Sequence, residues 1–301
     1  MQTSLDDFRL ELGSGSEVGM ALALFTMMLA VALNLRPRSF KLLTETPKPY
    51  VVGLLCQLIL LPLLTLCLCI VIQPRPSIAL GMILVSCCPG GNVSNMLVLL
   101  ARGNSALSVA LTATSSVAAA FVTPIAILFW SSLYPPTAEL LDSISFDTWR
   151  FLLQTFIVLA LPLFIGIFIN SYFPAIARKL SPIFVGLGSG LLVLIIVVAM
   201  ARYWDSFLGF GTSLLALVVL HNASAFLVAY LVSLTAGLAI ADRRTLTFEV
   251  GIQNSGLAIV IILAQLGGLG GAVAVAGLWG TWHIIAGFIL VGCFRSRPIH
   301  L

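Results

Sequence analysis

The chain has 301 residues, 60% of them hydrophobic and 9% charged, with a formal net charge of +4. Soluble globular chains carry about a quarter of their residues as charged side chains, so a water-surrounded core is excluded and an all-α polytopic membrane protein is indicated. The small positive balance points to neither nucleic acid nor an acidic partner, because in such a chain the placing of the cations matters more than their sum.

Residues 1–16 are polar and acidic rather than basic, so no cleavable signal peptide is expected and the first apolar segment should do the targeting. Apolar runs long enough to cross the hydrocarbon as helix, about 20 residues each, fall at 17–35, 50–72, 77–101, 105–130, 149–171, 181–203, 210–239, 245–266 and 271–293. About nine transmembrane helices follow, with the termini on opposite sides. Gln57 lies among leucines in the second run, and Ser108 and Thr112 open the fourth. The longest loop, 134–148, separates four helices from five. Cys56, Cys67, Cys69, Cys87, Cys88 and Cys293 show no CxxC spacing and no nearby histidine, which makes them packing residues rather than disulfide or metal partners.

The cations fix an orientation. With the N-terminus outside, the inner loops and tail hold Arg36, Arg38, Lys41, Lys48, Arg102, Arg178, Lys179, Arg243, Arg244, Arg295 and Arg297. The outer segments hold only Arg9, Arg75, Arg150 and Arg202. Most acids fall outside: Asp6, Asp7, Glu11, Glu17, Glu139, Asp142, Asp147 and Asp205, against Glu45 and Asp242 inside. Glu249 alone is left in the membrane, where an ionisable side chain is a functional-site hypothesis by default.

Two polar knots interrupt apolar runs. Ser86-Cys-Cys-Pro-Gly-Gly-Asn-Val-Ser-Asn95 breaks the third, and Thr247-Phe-Glu-Val-Gly-Ile-Gln-Asn-Ser-Gly-Leu257 breaks the eighth. The third run enters from outside and the eighth from inside. Oppositely directed broken helices, one per half, are the signature of an inverted-topology repeat in a secondary transporter, here with the first helix of repeat one missing. A break leaves carbonyls at one half-helix end and N–H groups at the next, so cations suit one side and anions the other. Ser94 and Asn95 lie beside the first break, Ser108 and Thr112 share a helix face at i, i+4, and Glu249 and Gln253 repeat that spacing. Oxygen donors without histidine or cysteine suit a hard cation such as Na⁺.

The segments 88–95 (CPGGNVSN), 101–112 (ARGNSALSVALT) and 248–257 (FEVGIQNSGL) resemble the bile acid:sodium symporter family, and the hydropathy pattern agrees over essentially the whole chain. The resemblance implies two discontinuous helices crossing in a core domain (50–130 and 210–293), set against a panel domain (17–35 and 149–203). It implies one sodium site of Ser94, Asn95, Ser108, Thr112 and Glu249, and a second of Gln57, Glu249 and Gln253 with the backbone carbonyls of Val250 and Ile252. Substrate is expected between core and panel, at Asn92, Val93, Asn254 and His283. Bacterial members commonly begin with an additional helix, and Ile284 after His283 stands where some bile acid binders have a polar group.

The expected function is sodium-coupled import of a small or amphipathic organic anion (bile acid-like, pantoate-like or a keto acid) by alternating access, with two Na⁺ per substrate. The lipid bilayer of a plasma or inner membrane is the expected surrounding, with no obligate protein partner evident. A proton-coupled or sodium/proton exchanger of related fold stays open, as does a sodium-dependent anion sensor. An exchanger would want a second midplane acid or a lysine, and none is present. An intramembrane enzyme lacks a nucleophile or HExxH motif. His221 and Asn222, adjacent in the seventh run, read as an ion pathway or, with greater weight, as packing hydrogen bonders.

Overall fold

The computed structural model describes residues 16–35, 45–144, 146–202 and 211–296. The basic segment 36–41, the acidic N-terminus, Asp205 and Arg297 lie outside the described residues, as does the side chain of Asn92. The described residues are helical nearly throughout, in an integral multi-pass arrangement. The helices are α1 (Ser16–Leu33), α2 (Pro47–Ile72), α3 (Pro76–Ser86), α4 (Asn92–Leu100), α5 (Ser105–Ser132) and α6 (Pro135–Ser143). They continue as α7 (Thr148–Tyr172), α8 (Pro174–Arg202), α9 (Gly211–Thr235), α10 (Ile240–Gly251), α11 (Ser255–Gln265) and α12 (Gly270–Arg295). Five stretches, in α2, α5, α7, α9 and α12, are long and apolar enough to cross a membrane by themselves.

Local chemistry sets the boundaries. Proline opens α2, α3, α6 and α8, where its missing N–H is one a helix start leaves unpaired anyway. Asn104, Asp147 and Asn254 cap α5, α7 and α11 through side-chain oxygens that accept from Leu107 N (3.1 Å), Arg150 N (2.9 Å) and Leu257 N (3.1 Å). The loop 134–148 is not irregular throughout. Its Pro-Pro start seeds α6, which Thr137 anchors by donating to Ser131 O at 2.6 Å, with Leu141 buried.

Within α2, Cys56–Leu60 forms a π turn in which Leu61 N donates five residues back to Cys56 O. Pro62 supplies the cause: it has no N–H for the i−4 carbonyl and its ring crowds that carbonyl, so the ladder widens just before it. The widened turn carries Gln57, which is 1% exposed.

Small residues set the close helix approaches. A Cβ on Gly166 would lie 2.4 Å from Ala32 Cβ, seating α7 on α1, and one on Gly188 would lie 2.9 Å from Met27, seating α8 on the same helix. A Cβ on Gly81 would lie 2.7 Å from Ala272 Cα, bringing α3 against α12. All six cysteines are free thiols.

Both polar knots are breaks. Pro89-Gly-Gly91 separates α3 from α4, and Ile252-Gln-Asn254 separates α10 from α11. The two gaps meet as a short antiparallel bridge in which Gly90 faces Gln253. Gly91 N donates to Ile252 O at 3.1 Å, and Asn254 N donates to Pro89 O at 2.9 Å. The break therefore pairs backbone groups that a bilayer could not satisfy. A second clamp joins the α4–α5 turn to the start of α10. Asn104 Nδ2 donates to Asp242 Oδ1 at 2.8 Å, Asn104 N donates to Thr245 Oγ1 at 2.8 Å, and Arg244 Nη1 donates to Ala101 O at 2.8 Å.

Candidate ion and substrate site

Glu249, two residues before the end of α10, is 1% exposed and meets three hydroxyls from the first half of the chain. Ser94 Oγ of α4 lies 2.6 Å from its Oε1, Ser108 Oγ of α5 lies 2.5 Å from the same oxygen, and Thr112 Oγ1 of α5 donates to Oε2 at 2.8 Å. The i, i+4 spacing of Ser108 and Thr112 puts one hydroxyl on each carboxylate oxygen. Asn95 Oδ1 closes the group at 2.8 Å from Ser108 Oγ.

This cluster is short of protons. Ser94 Oγ also lies 2.8 Å from Gly91 O, and Ser108 Oγ sits between Glu249 Oε1 and Asn95 Oδ1, yet each hydroxyl has one proton to give. Oxygens crowded beyond their supply of hydrogens around a buried carboxyl group suit a hard cation. Among the described residues no group of three or more His, Cys, Asp or Glu forms a transition-metal alternative.

The other face of the carboxylate borders Gln57. A Cβ on Gly90 would lie 3.1 Å from Gln57 Nε2 and 3.2 Å from Glu249 Oε2, so the two side chains flank the space over that glycine and only Gly leaves it open. Both polar atoms of Gln57 and the Oε1 of Gln253 are buried without a hydrogen-bond partner. Gln253 Nε2 donates to Val250 O at 2.8 Å, and Ile252 O accepts from Gly91. Each of these carbonyls thus keeps one lone pair. Unpaired buried amide oxygens beside a carboxylate leave hydrogen-bonding and coordinating capacity unused there.

Beside the crossing, a cavity of about 560 Å³ lies between α1 and α8 on one side and the breaks, α11 and α12 on the other. Val93, Gln253, Asn254 and His283 line it, with Met27, Val31, Phe184 and Ile259 making most of the remainder apolar. Three of the four residues expected at substrate, Val93, Asn254 and His283, therefore share one cavity. Asn254 spends its Oδ1 on capping α11, so its Nδ2 is the group left for a ligand.

Two features escaped the sequence reading. Ser115 Oγ accepts from Gly90 N at 3.4 Å, tying α5 to the first break, and a serine one turn beyond Thr112 gave only a periodicity signal. Arg244, read as a topology determinant, is 4% exposed and stacks over the Phe294 ring at 5.4 Å while holding Ala101 O, so it also clamps α10 to its neighbours.

A helical membrane protein whose two broken helices cross at a buried carboxylate, beside a ligand-sized cleft, is built as a secondary transporter rather than an enzyme. The model of the sodium bile acid symporter family matches residues 21–210, and the chain belongs to that family. It is 33% identical over 276 residues to a probable chloroplast sodium/metabolite cotransporter of Arabidopsis thaliana, covering 91% of this chain and 66% of that protein. An uncharacterized sodium-dependent transporter of Bacillus subtilis is 28% identical over 274 residues, covering 90% of this chain and 81% of the relative. The human ileal sodium/bile acid cotransporter is 27% identical over 243 residues, covering 81% and 68%. The chain thus spans slightly less than two thirds of the plant relative's length.

Proposed function

We propose that the protein is a sodium-coupled symporter that imports an organic anion by alternating access, taking two Na⁺ with each substrate. The observation that carries this reading is the proton-poor oxygen cluster around Glu249. One Na⁺ takes the hydroxyl side, with Ser94, Asn95, Ser108, Thr112 and Glu249. The other takes the Gln57 side, with Glu249, Gln253 and the free lone pairs of the Val250 and Ile252 carbonyls.

Two Na⁺ against one carboxylate leave a net charge of about +1, which an anionic substrate neutralises. The cleft suits such a substrate. Its wall is mostly apolar, and the N-terminal ends of α4 and α11 aim backbone N–H groups toward the crossing, where they favour a carboxylate or sulfonate. Asn92, Val93, Asn254 and His283 are its proposed contacts. The relatives' names, sodium/metabolite and sodium/bile acid cotransporters, agree with this class of cargo.

In this reading nine membrane passages form an inverted repeat. The crossing helices and their neighbours (50–130, 210–293) are the core, and 17–35 with 149–203 the panel. The seating of α7 and α8 on α1 supports that grouping. The N-terminus is outside and the C-terminus cytoplasmic. One net charge enters per cycle, gaining about 2.3 kcal/mol per 100 mV, so import is electrogenic.

The test is uptake of labelled organic anions into proteoliposomes. Uptake should require an inward sodium gradient and rise with a negative interior. Indifference to both would overturn the proposal, and drive by a pH gradient alone would assign Glu249 to proton exchange instead.

A further inference from the structure

Asn222, in the middle of α9, is fully buried. Its Nδ2 donates to Gly251 O at 2.8 Å, and its Oδ1 has no hydrogen-bond partner. Gly251 ends α10, so its carbonyl is one that a helix terminus leaves unpaired, and the amide that claims it comes from a third helix. A side chain needed for packing alone would be apolar at this depth, because a half-satisfied buried amide is unfavourable.

The neighbourhood is arranged so that Asn222 can reach. Phe226, one turn further along the same face of α9, lies against Gly251, and a Cβ there would come within 2.2 Å of its ring. The glycine brings α9 close enough for the amide to meet the carbonyl. On the other side, His221 Nε2 lies 2.7 Å from Thr65 Oγ1 of α2. Thr65 Oγ1 also lies 2.8 Å from Leu61 O, so the hydroxyl links the histidine to the backbone of α2. Adjacent residues of α9 thus hold α2, which carries Gln57, and the end of α10, which carries Glu249 and leads into Gln253.

We infer that Asn222, supported by His221, is a positioning residue for the second sodium site, fixing the peptide at Gly251 so that Gln57, Glu249 and Gln253 face one ion. The inference rests on the function proposed above. Without this hydrogen bond the Gly251 carbonyl turns to find another partner, and the turn that orients Gln253 moves with it.

The experiment is thermal unfolding of the purified protein in detergent, titrated with NaCl at constant ionic strength against KCl. The wild type should be stabilised by Na⁺ with a Hill coefficient approaching about 2, the number of coupled sites. Asn222→Leu should raise the half-stabilising Na⁺ concentration about tenfold, equivalent to about 1.4 kcal/mol, and bring the coefficient toward 1. Its melting temperature in KCl should stay close to wild type. Asn222→Ser, too short to reach Gly251, should behave alike and serves if the leucine variant does not fold. An equal loss of melting temperature in both salts, with the Na⁺ midpoint unmoved, would reduce Asn222 to a packing role and overturn the inference. A wild type that ignores Na⁺ would instead sink the parent reading.

Discussion

Glu249 accepts or shares three hydroxyl contacts, so its partners can be removed one at a time. Thr112→Val deletes the single donor to Oε2 while keeping the side chain's shape. Hydrogen bonds to charged groups contribute about 1.5–3 kcal/mol, so half-saturating Na⁺ for uptake should rise by about tenfold or more. Glu249→Gln keeps the volume but removes the charge, and Na⁺-stimulated uptake should fall to background while gel filtration shows a monodisperse protein. Gly251 is constrained differently. Gly251→Ala drives a methyl into the Phe226 ring, and such overpacking costs about 1–3 kcal/mol. The melting temperature should drop accordingly, and Phe226→Leu should restore part of it in the double variant. At this scale the sequence was most legible where a polar residue had no business in an apolar run. Glu249, Gln57 and the Ser108/Thr112 pair announced themselves by depth and spacing. Asn222 did not, because a lone asparagine in a membrane helix reads first as an ordinary interhelical hydrogen bonder.

Helices and their interruptions were legible in proportion to their punctuation. Pro89-Gly-Gly91 and the Gly251–Gly256 segment marked both breaks, whereas the π turn of α2 had only Pro62 to betray it, and α6 hid in a loop whose two prolines are as common in turns as in helix starts. What no pattern in the chain reveals is that the two breaks hydrogen-bond to each other, since that pairing depends on distant backbone rather than side chains. It also makes the crossing resistant to ordinary substitution. Gly91 has φ −90° and ψ 149°, open to any residue, and a Cβ there would meet nothing nearer than Gln253 O at 3.4 Å. Gly91→Ala should therefore leave thermal stability nearly unchanged. Gly91→Pro fits the backbone almost as well but deletes the N–H that reaches Ile252 O, and it should lower both the melting temperature and the Na⁺ shift. If proline proved as harmless as alanine, the bridge would be incidental to the site.

For the molecule as a whole, the unequal sharing of lysine and arginine between the two sets of loops sets a testable orientation. In a background without the exposed Cys67 and Cys293, a membrane-impermeant maleimide should label Arg75→Cys on intact cells and Arg178→Cys only after permeabilisation, both native positions being exposed. The reverse pattern would invert the transport direction proposed here. That the chain is a helical multi-pass membrane protein followed from its composition and the lengths of its apolar runs. The cleft did not, because its walls come from α1, α8, α11 and α12, whose apolar faces look alike until they are assembled around it.

The contacts at Glu249 also set a timetable for biosynthesis. Ser94, Ser108 and Thr112 stand 155, 141 and 137 positions ahead of their partner in the chain. At about 5–20 residues per second of synthesis, the first break waits roughly 8–30 s in the bilayer for the carboxylate and the second break that complete it. During that interval, with Gly91 N and Pro89 O still lacking their partners at the second break, the nascent half is a natural client for insertion chaperones and membrane proteases. Ribosomes stalled after α8 should yield a product degraded far faster than one stalled after α12, a difference that pulse-chase labelling would register.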